Sequence, residues 1–174
     1  PHPPGPPLLE VEGLTRAGYF EGVSFTIRAR EIVGMAGLVG SGRSEVARAI
    51  FGIDEYHQGR VTLQGEPLAR RPWRAIDQGL ALLPEDRTQQ GLVLPFALSS
   101  NVTLATLREM SRNGLIDRGR ERRTADDFVR SLSIRTPDSA TTTSNLSGGN
   151  QQKVVIAKWL STTPQVLLLD EPTQ

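Results

Sequence analysis

The sequence contains no cysteine, which excludes disulfides and thiolate metal sites. No apolar run approaches the length of a membrane span; the longest lies near Val166-Leu167-Leu168-Leu169. Charge of one sign is missing too. Twenty basic residues stand against 19 acidic ones, a net charge of +1, so no strong field draws the chain to nucleic acid or anionic lipid. Lysine is scarce: of the 20 basic residues only Lys153 and Lys158 are lysines, which reads as codon or lineage bias. What remains is ordinary for a soluble globular protein, with 37% hydrophobic and 22% charged residues. A length of 174 residues suggests one domain, large enough to bury roughly two-thirds of its unfolded surface.

Residues 1–7 are proline-rich and read as a linker. Both ends read as cuts in a longer polypeptide: the first residue is Pro1, and the last four are Glu171-Pro172-Thr173-Gln174. Residues 8–12 suit a strand. Residues 23–28 alternate with period two, as a half-buried strand does. Residues 31–36 are more continuously apolar, and the expectation is a strand buried in a parallel sheet. A helix follows over about 44–51, a strand over 59–64, a short helix over 72–78 and a strand over 80–83. Residues 85–145 carry little strand pattern; helices are expected near 99–109 and 118–132, with a loop over 136–144. Strand character returns at 166–169. A strand-rich region thus flanks a mostly helical insertion over about 85–160.

Three motifs carry chemistry. Gly37-Leu38-Val39-Gly40-Ser41-Gly42-Arg43-Ser44 has the phosphate-loop spacing G-x-x-x-x-G-K-[ST], with Arg43 in place of lysine. The glycines let backbone N–H groups converge on phosphates, and the Ser44 hydroxyl suits Mg²⁺. Arg43 keeps the positive charge but replaces a compact ammonium with a planar fork, so nucleotide binding is expected with weakened or absent hydrolysis. The second motif is an apolar strand ending in Asp170-Glu171. Asp170 can hold Mg²⁺ directly or through water, and Glu171 can orient or deprotonate an attacking water. The third is Leu146-Ser147-Gly148-Gly149-Asn150-Gln151-Gln152-Lys153, leading into an apolar-periodic segment. It reads as a helix start capped by Ser147, with N–H groups at Gly148 and Gly149 that attract anions.

Together these motifs resemble those of ABC ATPases, a branch of the P-loop NTPases, in order and approximate spacing over nearly all of residues 8–174. The resemblance implies an α/β nucleotide-binding domain with a helical subdomain, truncated at its C-terminus, that binds ATP and Mg²⁺. Glu85, in Pro84-Glu85-Asp86-Arg87, occupies the place of the family's glutamine loop. It either helps hold Mg²⁺ or belongs to a solvated turn with a local ion pair. The family places an aromatic ring upstream of the phosphate loop; Tyr19 is the candidate adenine contact, unless it and Phe20 belong to the core.

The Gly-Leu-Val-Gly-Ser-Gly-Arg-Ser loop, Pro-Glu-Asp-Arg, Gly91-Leu92-Val93-Leu94 and Leu-Ser-Gly-Gly-Asn-Gln-Gln-Lys narrow the resemblance to the second, C-terminal cassette of simple-sugar importers of the ribose, galactose, xylose and arabinose types. Importers for nucleosides and for the autoinducer-2 signal share much of this pattern. Head-to-tail pairing with another cassette is then implied, with Ser147, Gly148, Gly149 and Asn150 serving ATP held mainly by the partner. The same resemblance implies transmembrane permease subunits, a periplasmic or lipid-anchored solute-binding protein, and a place on the cytoplasmic face of the membrane. His2 and His57 are wrongly placed for the family's switch histidine, so the isolated chain is expected to hydrolyse ATP weakly or not at all. A binding-only regulatory cassette is the rival, favoured by Arg43 and Glu85 but not by Glu171. A soluble ABC protein of DNA repair or translation fits neither the neutral charge nor the Asn-Gln-Gln-Lys variant.

Overall fold

A ten-residue strand, β1 (Pro7–Arg16), turns directly into β2 (Phe20–Arg28). The two pair antiparallel, with Leu9 opposite Ile27 and Val11 opposite Phe25. On its other side β1 pairs antiparallel with β3 (Gln58–Leu63), which sets Leu9 opposite Leu63 and Val11 opposite Val61. The short β4 (Glu66–Pro67) closes the sheet in the order β2-β1-β3-β4. The central strand supplies the buried side chains Leu9, Val11 and Leu14, while β2 at the edge alternates between exposed and half-buried positions. That alternation is what period two predicts for a strand with one face in water.

The computed structural model describes residues 5–38 and 40–171, apart from the side chains at 87 and 88. Its chain divides into two compact units. The first holds the four-stranded sheet, α1 (Arg43–Phe51), α2 (Pro72–Asp77) and, with β8 (Val166–Leu169), nearly all of β5 (Leu80–Leu83). Helix α1 buries Val46, Ala49, Ile50 and Phe51, an apolar stripe at helical spacing. Strands β5 and β8 pair as a two-stranded sheet, anchored where Gln165 N–H donates to Gly79 O at 2.7 Å.

The second unit, Leu83–Pro164 together with Glu171, is mainly helical. Helix α3 (Leu98–Thr103) packs against both α4 (Arg118–Ser131) and α5 (Gly148–Leu160). Between α3 and α4 runs a small hairpin, β6 (Ser111–Arg112) and β7 (Leu115–Ile116). Buried polar groups tie the helices to their loops. Asn101 accepts from Val93 N–H at 2.8 Å and donates to Val93 O at 3.0 Å and Thr143 Oγ1 at 3.0 Å.

Three expectations need correction. Residues 31–36 form no strand. Among the described residues they have no ladder partner, and Ile32 is 99% exposed. An apolar run becomes a strand only where a neighbouring strand takes up its N–H and C=O groups; among the described residues no strand does so here, and Glu31 N–H donates instead to Arg28 O in a turn. Helix α3 stops at Thr103 rather than near 109, passing into a 3₁₀ turn over Leu104–Thr106. The Thr103 hydroxyl donates back to Ser99 O and the Thr106 hydroxyl to Thr103 O, local bonds that compete with helix continuation. Ser147 stands at the first boundary position of α5, but its hydroxyl makes no capping bond.

Candidate functional site

The phosphate-loop residues and Asp170 belong to the first unit. Within the loop, Ser41 N–H donates to Leu38 O at 3.0 Å. Val39 itself lies outside the described residues. The loop enters α1 at Gly42, whose φ of 86° belongs to the left-handed region. A β-carbon at Gly42 would stand 2.6 Å from Tyr19 O, so both backbone conformation and space demand glycine. A β-carbon at Gly37 would collide with the Ser41 side chain. The loop is therefore folded on itself and pressed against the β1–β2 turn that carries Tyr19.

Ser44, in the first turn of α1, donates its hydroxyl to Asp170 Oδ1 at 2.9 Å. Residues 126 positions apart in sequence are thus brought into direct contact. A hydroxyl and a carboxylate, both half-buried, are hard oxygen donors of the kind Mg²⁺ takes. Arg48, one turn further along α1, feels the negative charge of Asp170. Arg43 is half-buried at the same helix start.

Tyr19 is 54% exposed, with the Arg16 guanidinium over its ring 4.1 Å from the centroid. Tyr19 is therefore not a core residue, and it lies beside the phosphate loop.

The other candidates lie in the second unit. Glu85 is exposed, just before a single π-helical turn over Arg87–Gly91. Glu171 is half-buried with φ of 45°, a left-handed conformation that a glutamate adopts only under constraint. At the start of α5, Arg135 N–H donates to Asn150 Oδ1 at 3.0 Å, which fixes the orientation of that amide. Asn150 Nδ2 must then donate to Ser147 Oγ, and does so at 3.0 Å. That bond does not use the Ser147 proton, and the Ser147 side chain does not cap the opening N–H groups of α5. An open depression of about 640 Å³, lined by Arg135, Asp138, Thr142, Ser147 and Asn150 among others, gives access to this helix start.

The sequence pattern of ABC transporter proteins matches residues 20–174. The chain belongs to the ABC transporter family. It is 51% identical over 172 residues to the ribose import ATP-binding protein RbsA 1 of Streptomyces coelicolor, matching 98% of this chain and 34% of that protein. It is 46% identical over 175 residues to the ribose import ATP-binding protein RbsA of Cereibacter sphaeroides, at 99% and 34% coverage. A putative ribose/galactose/methyl galactoside import ATP-binding protein of Rhizobium etli is 46% identical over 173 residues, at 99% and 33% coverage. The chain spans about a third of the length of these curated relatives.

Solved structures share the ABC fold. A nucleotide-free ATP-binding cassette from an ABC transporter superposes with a TM-score of 0.76 at 19% identity, covering 97% of this chain and 70% of that one. A dimeric cassette bound to ADP and Pi in a post-hydrolysis state gives 0.77 at 21% identity, covering 95% and 75%. The ABC cassette described here is therefore a P-loop NTPase fold, as the motif order implied.

Sequence reasoning missed the charged network around Tyr19. Asp54 accepts from Arg16 Nη1 at 2.8 Å and from Arg48 Nε at 3.0 Å. The Arg48 hydrogen bond, chiefly, holds the Asp54 carboxyl below its ordinary range. It also missed Lys158, which is buried on α5 and donates to Gly91 O at 2.6 Å. Burial lowers its pKa to about 8. The available sequence signal was slight: a lysine inside the apolar stripe of α5, and an aspartate just after the end of α1.

Proposed function

We propose that this ABC cassette binds and hydrolyses ATP to energise import of a simple sugar, as the second cassette of a longer chain. The hydrogen bond between Ser44 and Asp170 carries this reading, because it joins the phosphate loop to the acidic strand end. Residues 37–44 would wrap the phosphates with backbone N–H groups, with Arg43 adding charge. Ser44 and Asp170 would hold Mg²⁺, which when bound neutralises phosphate charge. Glu171 would orient the attacking water. Ser147, Gly148, Gly149 and Asn150 would present a hydroxyl proton and bare N–H groups to a nucleotide held by a partner cassette. Glu85 would report on the Mg²⁺ side of the site, and the helical region over about 85–160 would dock on permease subunits at the cytoplasmic face. A solute-binding protein would deliver the sugar. The names of the relatives support ribose among the sugars.

A second reading, a cassette that binds ATP and leaves hydrolysis to its partner, is favoured by Arg43 at the lysine position. ATP turnover by the cassette joined to its partner cassette decides between them. With Glu171→Gln, the hydrolytic reading expects turnover to fall at least tenfold. Unchanged turnover would contradict it and leave binding alone.

A further inference from the structure

Tyr19 presents an aromatic face to solvent beside the phosphate loop, yet it sits in a turn between two strands, where a ring is easily displaced. What holds it is electrostatic. The Arg16 guanidinium stands over the ring 4.1 Å from its centroid, and Tyr19 is still 54% exposed. Arg16 is itself held: its Nη1 donates to Asp54 Oδ2 at 2.8 Å. The same carboxylate oxygen accepts from Arg48 Nε at 3.0 Å, and Asp54 Oδ1 accepts from Arg48 Nη2 at 3.2 Å.

One aspartate therefore ties an arginine of the β1–β2 hairpin to an arginine of α1, the helix the phosphate loop enters. Asp54 is 14% exposed and Arg16 22%, so water screens this network less than it would a surface pair. The Arg48 fork is bidentate on Asp54, which fixes direction as well as distance. Close packing of Tyr19 O on Gly42 completes a second link between the turn and the loop.

We infer that Asp54 is a positioning residue that locks Arg16 behind Tyr19 and so builds the platform on which the base of a nucleoside triphosphate stacks. This rests on the nucleotide-binding reading of residues 37–44 and adds to it. Base affinity and phosphate affinity are set by different residues, and Asp54 governs the first. A base on the free ring face would form a guanidinium–phenol–base stack. Loss of the Asp54 carboxylate would free Arg16, let Tyr19 turn, and leave the phosphate loop with its glycine geometry intact.

The test compares ATP with inorganic tripolyphosphate, which has the phosphates and no base, by titration calorimetry on this chain. Asp54→Asn is expected to weaken ATP binding about tenfold while changing tripolyphosphate binding less than twofold, the scale of one base–aromatic stack. Tyr19→Leu is expected to do the same, and the double variant to be no worse than either single. Arg16→Gln, which leaves the contacts of Asp54 with Arg48, gives a second route should Asp54→Asn not fold. Equal weakening of both ligands, additive effects, or no effect of Asp54→Asn and Arg16→Gln would overturn the inference. So would a parent chain that binds ATP no better than tripolyphosphate, although the phosphate loop would then stand. A parent that binds neither would overturn the nucleotide reading and this platform with it.

Discussion

A guanidinium at position 43 places a planar, forked cation where phosphate loops of this spacing carry an ammonium. Arg43→Lys is accordingly expected to raise ATP turnover severalfold in the paired cassettes, with a smaller change in nucleotide affinity. A rate no higher than the parent's would contradict this account of the loop. Lys158 makes a different prediction. Its folded pKa of about 8 lies below the ordinary lysine value because burial penalises the charged form. Between pH 8 and about 10.5 the unfolded chain therefore binds more protons, and this group's contribution to stability rises with pH. Urea unfolding at pH 7.5 and pH 9.5 should show the parent gaining stability relative to Lys158→Met; parallel pH profiles would refute the shift. Fixed motif spacing singled out Ser44 and Asp170 in the sequence, and the structure joins the two by a hydrogen bond. Arg16, Asp54 and Lys158 were not singled out, because one charged residue carries no information about a partner 38 or 67 positions away.

At the scale of elements, two helix starts behave oppositely. Asp117 caps α4 by accepting from Arg120 N–H at 2.9 Å, and that bond holds its carboxyl below the ordinary range. Its contribution is present above the unfolded carboxylate pKa of about 4 and is lost as pH falls through the lower folded value. Asp117→Ala should lower the urea midpoint at pH 7. Ser147 makes no capping bond, so Ser147→Ala should change stability by less than about 0.5 kcal/mol, below the ~1 kcal/mol typical of a lost cap. A large loss with Ser147→Ala would mean that the hydroxyl does cap α5. Strands β1, β3, β5 and β8 and helices α1 and α5 follow from their apolar pattern, because each buries apolar residues of that pattern, whereas β2 only half-buries its inner face and α4 buries Glu121 and Ala125. The run at 31–36 misled for a physical reason. Its composition suits a buried strand, but strand formation needs paired neighbours, which composition does not report.

For the molecule as a whole, the segment 31–38 exposes Ile32, Val33, Met35 and Leu38, the first and last at 99% and 85%. With net charge near zero, such apolar exposure favours self-association. Light scattering at rising concentration should therefore detect association of the parent, reduced in Ile32→Ser/Leu38→Ser; equal scattering would count against an apolar cause. Family and fold were legible because the phosphate loop, the Leu-Ser-Gly-Gly turn and the acidic strand end stand in order over most of the chain. The division into units at Leu82 and Leu83 leaves little mark on local sequence pattern, because it is a tertiary boundary. The central claim is that Ser44 and Asp170 together make the phosphate loop a Mg²⁺–nucleotide site. Calorimetric titration of ATP into the parent and into Asp170→Asn, each with Mg²⁺ and with EDTA, tests it most directly. The account predicts that Mg²⁺ tightens ATP binding to the parent at least tenfold and does not tighten binding to Asp170→Asn. Equal enhancement by Mg²⁺ in both proteins would contradict it.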